Sequence, residues 1–229
     1  FGEAIAHFEQ ALQCVGALGG AHPSAPGEDA RERELRLELR LAHASVAGRG
    51  HASPLTAQAF KRAHALADSL AASKLRFSAY YGYSVTQLVR SQLHEAAAVA
   101  GKLLQDAERD DDNVQRLMAH CCRGTAATLM GDFDVARDSF ERVLSLGEPM
   151  TSAALVGQFG HEPRGVARCY FALALWCQGQ TDHAADMWQQ GMRVAQAANH
   201  TPSLAAPTFY GALLAALSRT VPELEQHSA

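Results

Sequence analysis

Segment 159–165, FGHEPRG, gathers a histidine, a carboxylate and a guanidinium around two glycines and a proline. Phe159, His161, Glu162 and Arg164, followed closely by Arg168, are the residues in which acid–base or anion-binding chemistry would be sought first. The same residues also spell the start of a helix. Pro163 suits a first turn, where its missing N–H costs nothing, with Gly160 or His161 beside the cap. Cations in a first turn oppose the helix dipole by a few tenths of a kcal/mol to about 1 kcal/mol each. Arg164 and Arg168 therefore call for an acidic answer, from Glu162 or from a partner.

Other chemistries find weaker footing. His120, Cys121 and Cys122 are consecutive, and successive helical residues point about 100° apart, so they cannot converge on one tetrahedral ion. No second Cys or His pair stands at finger spacing. The G-x-S-x-G elbow of a serine nucleophile is absent, and so is the G-x₄-G-K-[ST] phosphate loop. The acid run Asp110, Asp111, Asp112 reads as the end of one helix and the cap of the next. The expectation is a chain with no catalytic residue, no metal and no cofactor of its own.

The elements that would carry these groups are helices. Breakers leave helix-length pieces at roughly 1–18, 27–47, 54–71, 74–90, 92–109, 112–130, 133–146, 162–178, 181–198 and 202–219, with a stub after Pro222 and almost no β-branched alternation. Ser53-Pro54 and Thr201-Pro202 each offer a hydroxyl at the N-cap and a proline at N1. Segment 147–162 reads as a long inter-repeat loop. Its apolar Leu155, Val156 and Phe159 either fold back over the array or reach a partner.

A hydrophobic content of 48% supports a substantial core. Net charge is −4, from 24 acids and 20 scattered bases, which argues against direct nucleic-acid binding. Five cysteines without a regular framework fit a reduced, cytoplasmic setting. The longest apolar runs fall short of the roughly 20 residues that span a bilayer, so no membrane partner is expected. The sequence opens on Phe1 without an initiator methionine and is expected to be a piece of a longer protein.

Four alternate helices share one pattern: EAIAHFEQAL (3–12), EAAAVAGKLL (95–104), VARDSFERVL (135–144) and HAADMWQQGM (183–192). In each an alanine (Ala4, Ala96, Ala136, Ala184) is followed four residues later by Phe8, Ala100, Phe140 or Trp188 and three later by Ala11, Leu103, Val143 or Gly191. The helix at 54–71 follows less closely with Thr56, Phe60 and Ala63. Upstream of two of them, Gly131 and Gly179 close the preceding helix, with Gly124 and Ala172 seven positions earlier.

This pattern resembles the tetratricopeptide repeat, a helix–turn–helix unit. The resemblance implies an all-α, right-handed superhelix of about five antiparallel helix pairs, with approximate repeats 1–26, 27–72, 73–110, 111–161, 162–200 and a partial 201–229. Equivalent alanines stand 40 residues apart from Ala96 to Ala136 and 48 from Ala136 to Ala184, rather than the standard 34. The succession ERELRLELRLAHASVAGRG, AYYGYSVTQLVRSQLHEA and GHEPRGVARCYFALALWCQGQTDHA also resembles the C-terminal repeat region of bacterial STAND-type ATPase signalling proteins linked to cyclase, kinase or winged-helix modules. That resemblance implies a non-catalytic protein-interaction scaffold, the regulatory or sensor region of a larger signalling ATPase or transcriptional regulator. The alternative is a free-standing adapter that binds a partner helix or peptide. The partner is a protein in either case, as an intramolecular ATPase module or as a separate chain.

By tetratricopeptide register, the concave groove is expected at Tyr81, Val85 and Leu88, at Cys121, Thr125 and Thr128, and at Cys169, Leu173 and Trp176. This nearly uncharged lining suits an amphipathic helix or a packed neighbouring domain. Alternatively, tight superhelical curvature buries the same residues as core.

Overall fold

The computed structural model describes residues 1–17, 30–70 and 75–218. The stub after Pro222 and the repeat boundaries at 26/27 and 72/73 lie outside the described residues. Every regular element among them is helical: α1 (Gly2–Ala17), α2 (Ala30–Arg49), α3 (Pro54–Ser69), α4 (Arg76–Val89), α5 (Leu93–Arg109), α6 (Asn113–Met130), α7 (Phe133–Gly147), α8 (Ser152–Phe159), α9 (Pro163–Cys177), α10 (Thr181–Ala197) and α11 (Ala205–Ser218), with a 3₁₀ turn at Thr201–Leu204 before α11. Within each unit, helices pack chiefly on their sequence neighbours, an arrangement compatible with an α-solenoid. The chain forms two compact units, Phe1–Asp106 and Ala107–Ala229.

In the first unit α1 packs on α2, α2 on α3 and α3 on α4. Its core holds Leu35, Leu39, Phe60, Ala63 and Tyr80, all close to fully buried. Gly82 on α4 is required there, because a Cβ on it would lie 1.9 Å from the Phe60 ring. In the second unit α6 pairs with α7 and α9 with α10, while α9 also lies on α6 and α7 and α11 lies on α9 and α10. Phe140 fills its centre, over Gly124 and against Phe171 at 5.7 Å between ring centroids.

The side chains expose a period that is regular apart from one insertion. Thr56, Ala96, Ala136 and Ala184, all essentially buried, begin the same turn of α3, α5, α7 and α10. Twenty residues ahead of each stands an arginine: Arg36, Arg76, Arg116 and Arg164. Fifteen residues after the last three come Ser91, Gly131 and Gly179, which close their helices at φ of 59°, 81° and 78°. A left-handed residue of this kind satisfies the last carbonyls of a helix. Successive arginines lie 40, 40 and 48 residues apart. The excess of eight in the last interval is the length of α8.

Three expectations need correction. The long loop at 147–162 instead contains α8, capped by the Thr151 hydroxyl at 3.4 Å from the Ala154 N–H and ended by Gly160 at φ 72°. Leu155 is 1% exposed and Val156 and Phe159 are half-buried, because α8 lies against α9. Ser53 does precede α3 with Pro54 at its first turn, but its hydroxyl makes no capping bond. Thr201 is not a cap: His200 takes that position, and Thr201 is already inside the 3₁₀ turn.

Candidate functional site

Segment 159–165 folds into a joint in the second unit. Glu162 is the N-cap of α9 and accepts the Arg164 backbone N–H at 3.1 Å, while Pro163 fills N1. All five N–H donors of the Arg164 guanidinium are taken. Nε donates to Glu162 Oε1 at 2.9 Å, and Nη2 donates to Glu162 Oε2 at 2.8 Å and to Ser152 Oγ at 2.7 Å. Nη1 donates to the Gly147 and Met150 carbonyls at 2.9 and 2.8 Å, which closes the C-terminal end of α7. A forked, charge-assisted pair of this type is stronger than a neutral hydrogen bond and fixes the geometry of both groups. Glu162 answers Arg164, as the first-turn charges required.

Electrostatics follow from that geometry. Glu162 is fully buried, which alone would raise its pKa, but the bonds from Arg164 and Ser152 outweigh burial and hold it below the ordinary value. The Glu162 hydrogen bond in turn raises Arg164. Burial lowers His161, whose Nδ1 lies 3.1 Å from the Phe159 carbonyl. The backbone N–H of Glu162 donates to Ser203 Oγ at 3.0 Å. A carboxylate held ionised and a guanidinium without a free donor can hold helices together, but they have no proton to transfer near neutrality.

Arg168 is the exception. It makes one hydrogen bond, from Nη1 to the Arg164 carbonyl at 3.1 Å, and its buried Nε has no partner. It faces a cleft of about 410 Å³ with Leu144, Ser145, Glu148, Arg164 and Val194. Burial, then the neighbouring Arg164, lowers its pKa.

The residues expected to line a groove divide. In the first unit Tyr81, Val85 and Leu88 are half-buried, and Tyr81 stacks parallel on Phe77 at 5.8 Å. In the second, Cys121, Leu173 and Trp176 are half-buried, with Trp176 Nε1 donating to Ser218 Oγ at 3.1 Å. Thr125, Thr128 and Cys169 are core instead, at 8%, 6% and 0% exposure, and Thr128 bonds back to the Gly124 carbonyl at 2.9 Å. They are buried because α9 packs on α6 and α7 as well as on α10. Burial raises the Cys121 thiol well above its usual value and pushes Cys169 up to about 12, which disfavours the thiolate at both.

Sequence reading missed a second polar cluster, in the first unit. His64 lies between Tyr80 and Tyr83, with ring centroids at 4.9 and 4.6 Å, and its Nε2 is buried without a partner. The two tyrosine hydroxyls donate to Asp68 and Glu95. Gln87 Nε2 also donates to Glu95, at 2.5 Å, and Lys102 reaches Asp68 at 3.4 Å. Burial and the Asp68 bond raise Tyr80 to about 12, and burial lowers His64. Its signal lies in the period. Four residues after the last three arginines come Tyr80, His120 and Arg168, and twelve after the small residues come Asp68, Glu108 and Glu148.

Among the described residues, no three His, Cys, Asp or Glu side chains are placed to hold a metal ion, and no helix is long and apolar enough to cross a membrane. No protein-family model, no curated protein and no solved structure matches the chain, so the chemistry of the site is read from its own groups.

Proposed function

We propose that the chain is a non-catalytic protein-interaction scaffold, a tetratricopeptide-like right-handed superhelix of about five antiparallel helix pairs. It serves as the cytoplasmic regulatory or sensor region of a larger bacterial signalling ATPase or transcriptional regulator, with a protein as its partner and neither nucleic acid nor membrane.

The observation that carries the reading is the recurring link between successive helix pairs. Arg76, Arg116 and Arg164 each stand in the first turn of a helix and donate to carbonyls at or just past the end of an earlier one: Ala67 and Leu70 for α3, Glu108 for α5, and Gly147 and Met150 for α7, across the inserted α8. A carboxylate anchors each one: Asp106, Asp111 and Glu162. Repetition of one joint, at 40 residues and then at 48 across the inserted α8, is what a stacked array would show. The half-buried Tyr81, Val85 and Leu88 on α4, next to Val89 at 52% exposure, supply apolar surface for a partner helix. The saturated Glu162–Arg164 pair favours binding over catalysis.

The test is a pull-down with wild type, Tyr81→Glu and Trp176→Glu, each checked for native helicity. A protein retained by wild type and lost from both variants is the expected outcome. Equal retention by all three folded proteins rejects the groove. Turnover of a nucleotide by the purified chain rejects the non-catalytic reading.

A further inference from the structure

The junction that carries the insertion has a counterpart without it, and the two differ in what fills them. Between α3 and α4, Tyr80 and Asp68 occupy the paired positions and the tyrosine hydroxyl bonds the carboxylate. Between α7 and α9 the same positions hold Arg168 and Glu148, with no ion pair between them and a cleft of about 410 Å³ beside both. The volume falls in the range of small-molecule sites. Arg164 lines the cleft too, but its charge is met by Glu162 and its donors are taken. The guanidinium of Arg168 is thus the free cation of the cleft, and its buried Nε is an unsatisfied donor of a kind that native proteins seldom leave unmet.

We propose that this cleft binds a small monocarboxylate with a short aliphatic body, the carboxylate taken by Arg168 and the aliphatic part lying between Leu144 and Val194. Guanidinium is the group best matched in shape to a carboxylate. Leu144 and Val194 provide apolar walls, and Ser145 adds a hydroxyl beside them. Glu148 also lines the cleft, so each further negative charge on a ligand is repelled, and a single carboxylate on Arg168 is favoured over a dianion such as phosphate.

Titration of the 229-residue chain with sodium 4-methylpentanoate, read by amide shifts, tests this. Saturable shifts are expected at residues 144–148, 164–168 and 194, with none from 4-methylpentanamide and weaker binding of inorganic phosphate. Arg168→Gln should weaken binding at least about tenfold, because a charge-assisted pair is lost. Val194→Trp keeps every charge but fills the cleft, and should abolish binding even if Arg168→Gln folds poorly. Acetyl-glycyl-leucine, as acid and as amide, separates the sources of the carboxylate. Tighter binding of the peptide acid assigns the site to a chain terminus, and tighter binding of 4-methylpentanoate assigns it to a free acid. No saturable response from any carboxylate, or equal binding by the amide or by Val194→Trp, overturns the proposal.

Discussion

Arg76 in the first unit and Arg164 in the second make the same joint in different surroundings. Each directs Nη1 to two carbonyls at the end of an earlier helix, α3 for Arg76 and α7 for Arg164, and Nε and Nη2 to one acidic side chain. Asp106 comes from α5, thirty residues along the chain, and keeps 16% of its side chain exposed. Glu162 comes from the cap of Arg164's own helix and is wholly buried. Arg116 is a third version, on Asp111, which is 90% exposed. One inter-helix contact thus ranges from surface decoration to structural keystone, according to how far its carboxylate is withdrawn from water.

The largest expected effect is at the buried version. Arg164→Met leaves Glu162 ionised and buried without a counter-charge and should destabilise the second unit by about 3–5 kcal/mol, measured by urea unfolding. Arg76→Met should cost about 1–3 kcal/mol and Arg116→Met under about 1 kcal/mol. Equal losses from all three would dissolve the comparison. The close approaches of the two cores give a second contrast. Gly82→Ala puts a Cβ 1.9 Å from Phe60 and should cost about 1–3 kcal/mol, whereas Gly124→Ala meets Phe140 at 2.8 Å and should cost less. Thermal midpoints of the two variants check that order.

Acid should weaken both units through histidines that packing partly withdraws from water. Burial lowers His64 in the first unit and His120 and His161 in the second. The unfolded chain therefore takes up protons first. Stability is fully present above the unfolded value of about 6.5 and is lost as pH falls through it toward the lowered folded values. Glu38 acts in the opposite sense, since burial raises it. Urea midpoints at pH 7.5 and 5.5 should show lower stability at 5.5, and His64→Gln should reduce that dependence. The smallest effect is at Ser91, which holds the left-handed position that Gly131 and Gly179 hold elsewhere. Ser91→Gly should stabilise by about 0.5 kcal/mol, because the steric cost of a Cβ there exceeds the backbone entropy that glycine loses.

Most helices were legible because caps and left-handed stops bracket them: Asp112 bonds the Val114 and Gln115 N–H groups as the acid run implied, and Gly131 ends α6. Helix α8 escaped because two turns are too short for a 3.6-residue period to emerge, although Thr151 and Gly160 mark its ends. Thr125, Thr128 and Cys169 were placed in a groove because register alone does not show that α9 packs on α6 and α7 as well as on α10. The arginine joints were present in the sequence, twenty residues ahead of each small residue. What hid them is that a long side chain's carbonyl partners depend on the fold rather than on local pattern. Arg168 was flagged as an unanswered cation, but the cleft beside it exists only once α7, α9 and α10 are assembled.

The most direct test of the account is equilibrium urea unfolding of Glu162→Gln, Asp106→Asn and Asp111→Asn, which remove one carboxylate charge from each joint at almost constant shape. Losses that fall in that order, with Glu162→Gln several-fold above Asp111→Asn, are the predicted result. Equal losses, or a larger loss at Asp111 than at Glu162, would contradict it.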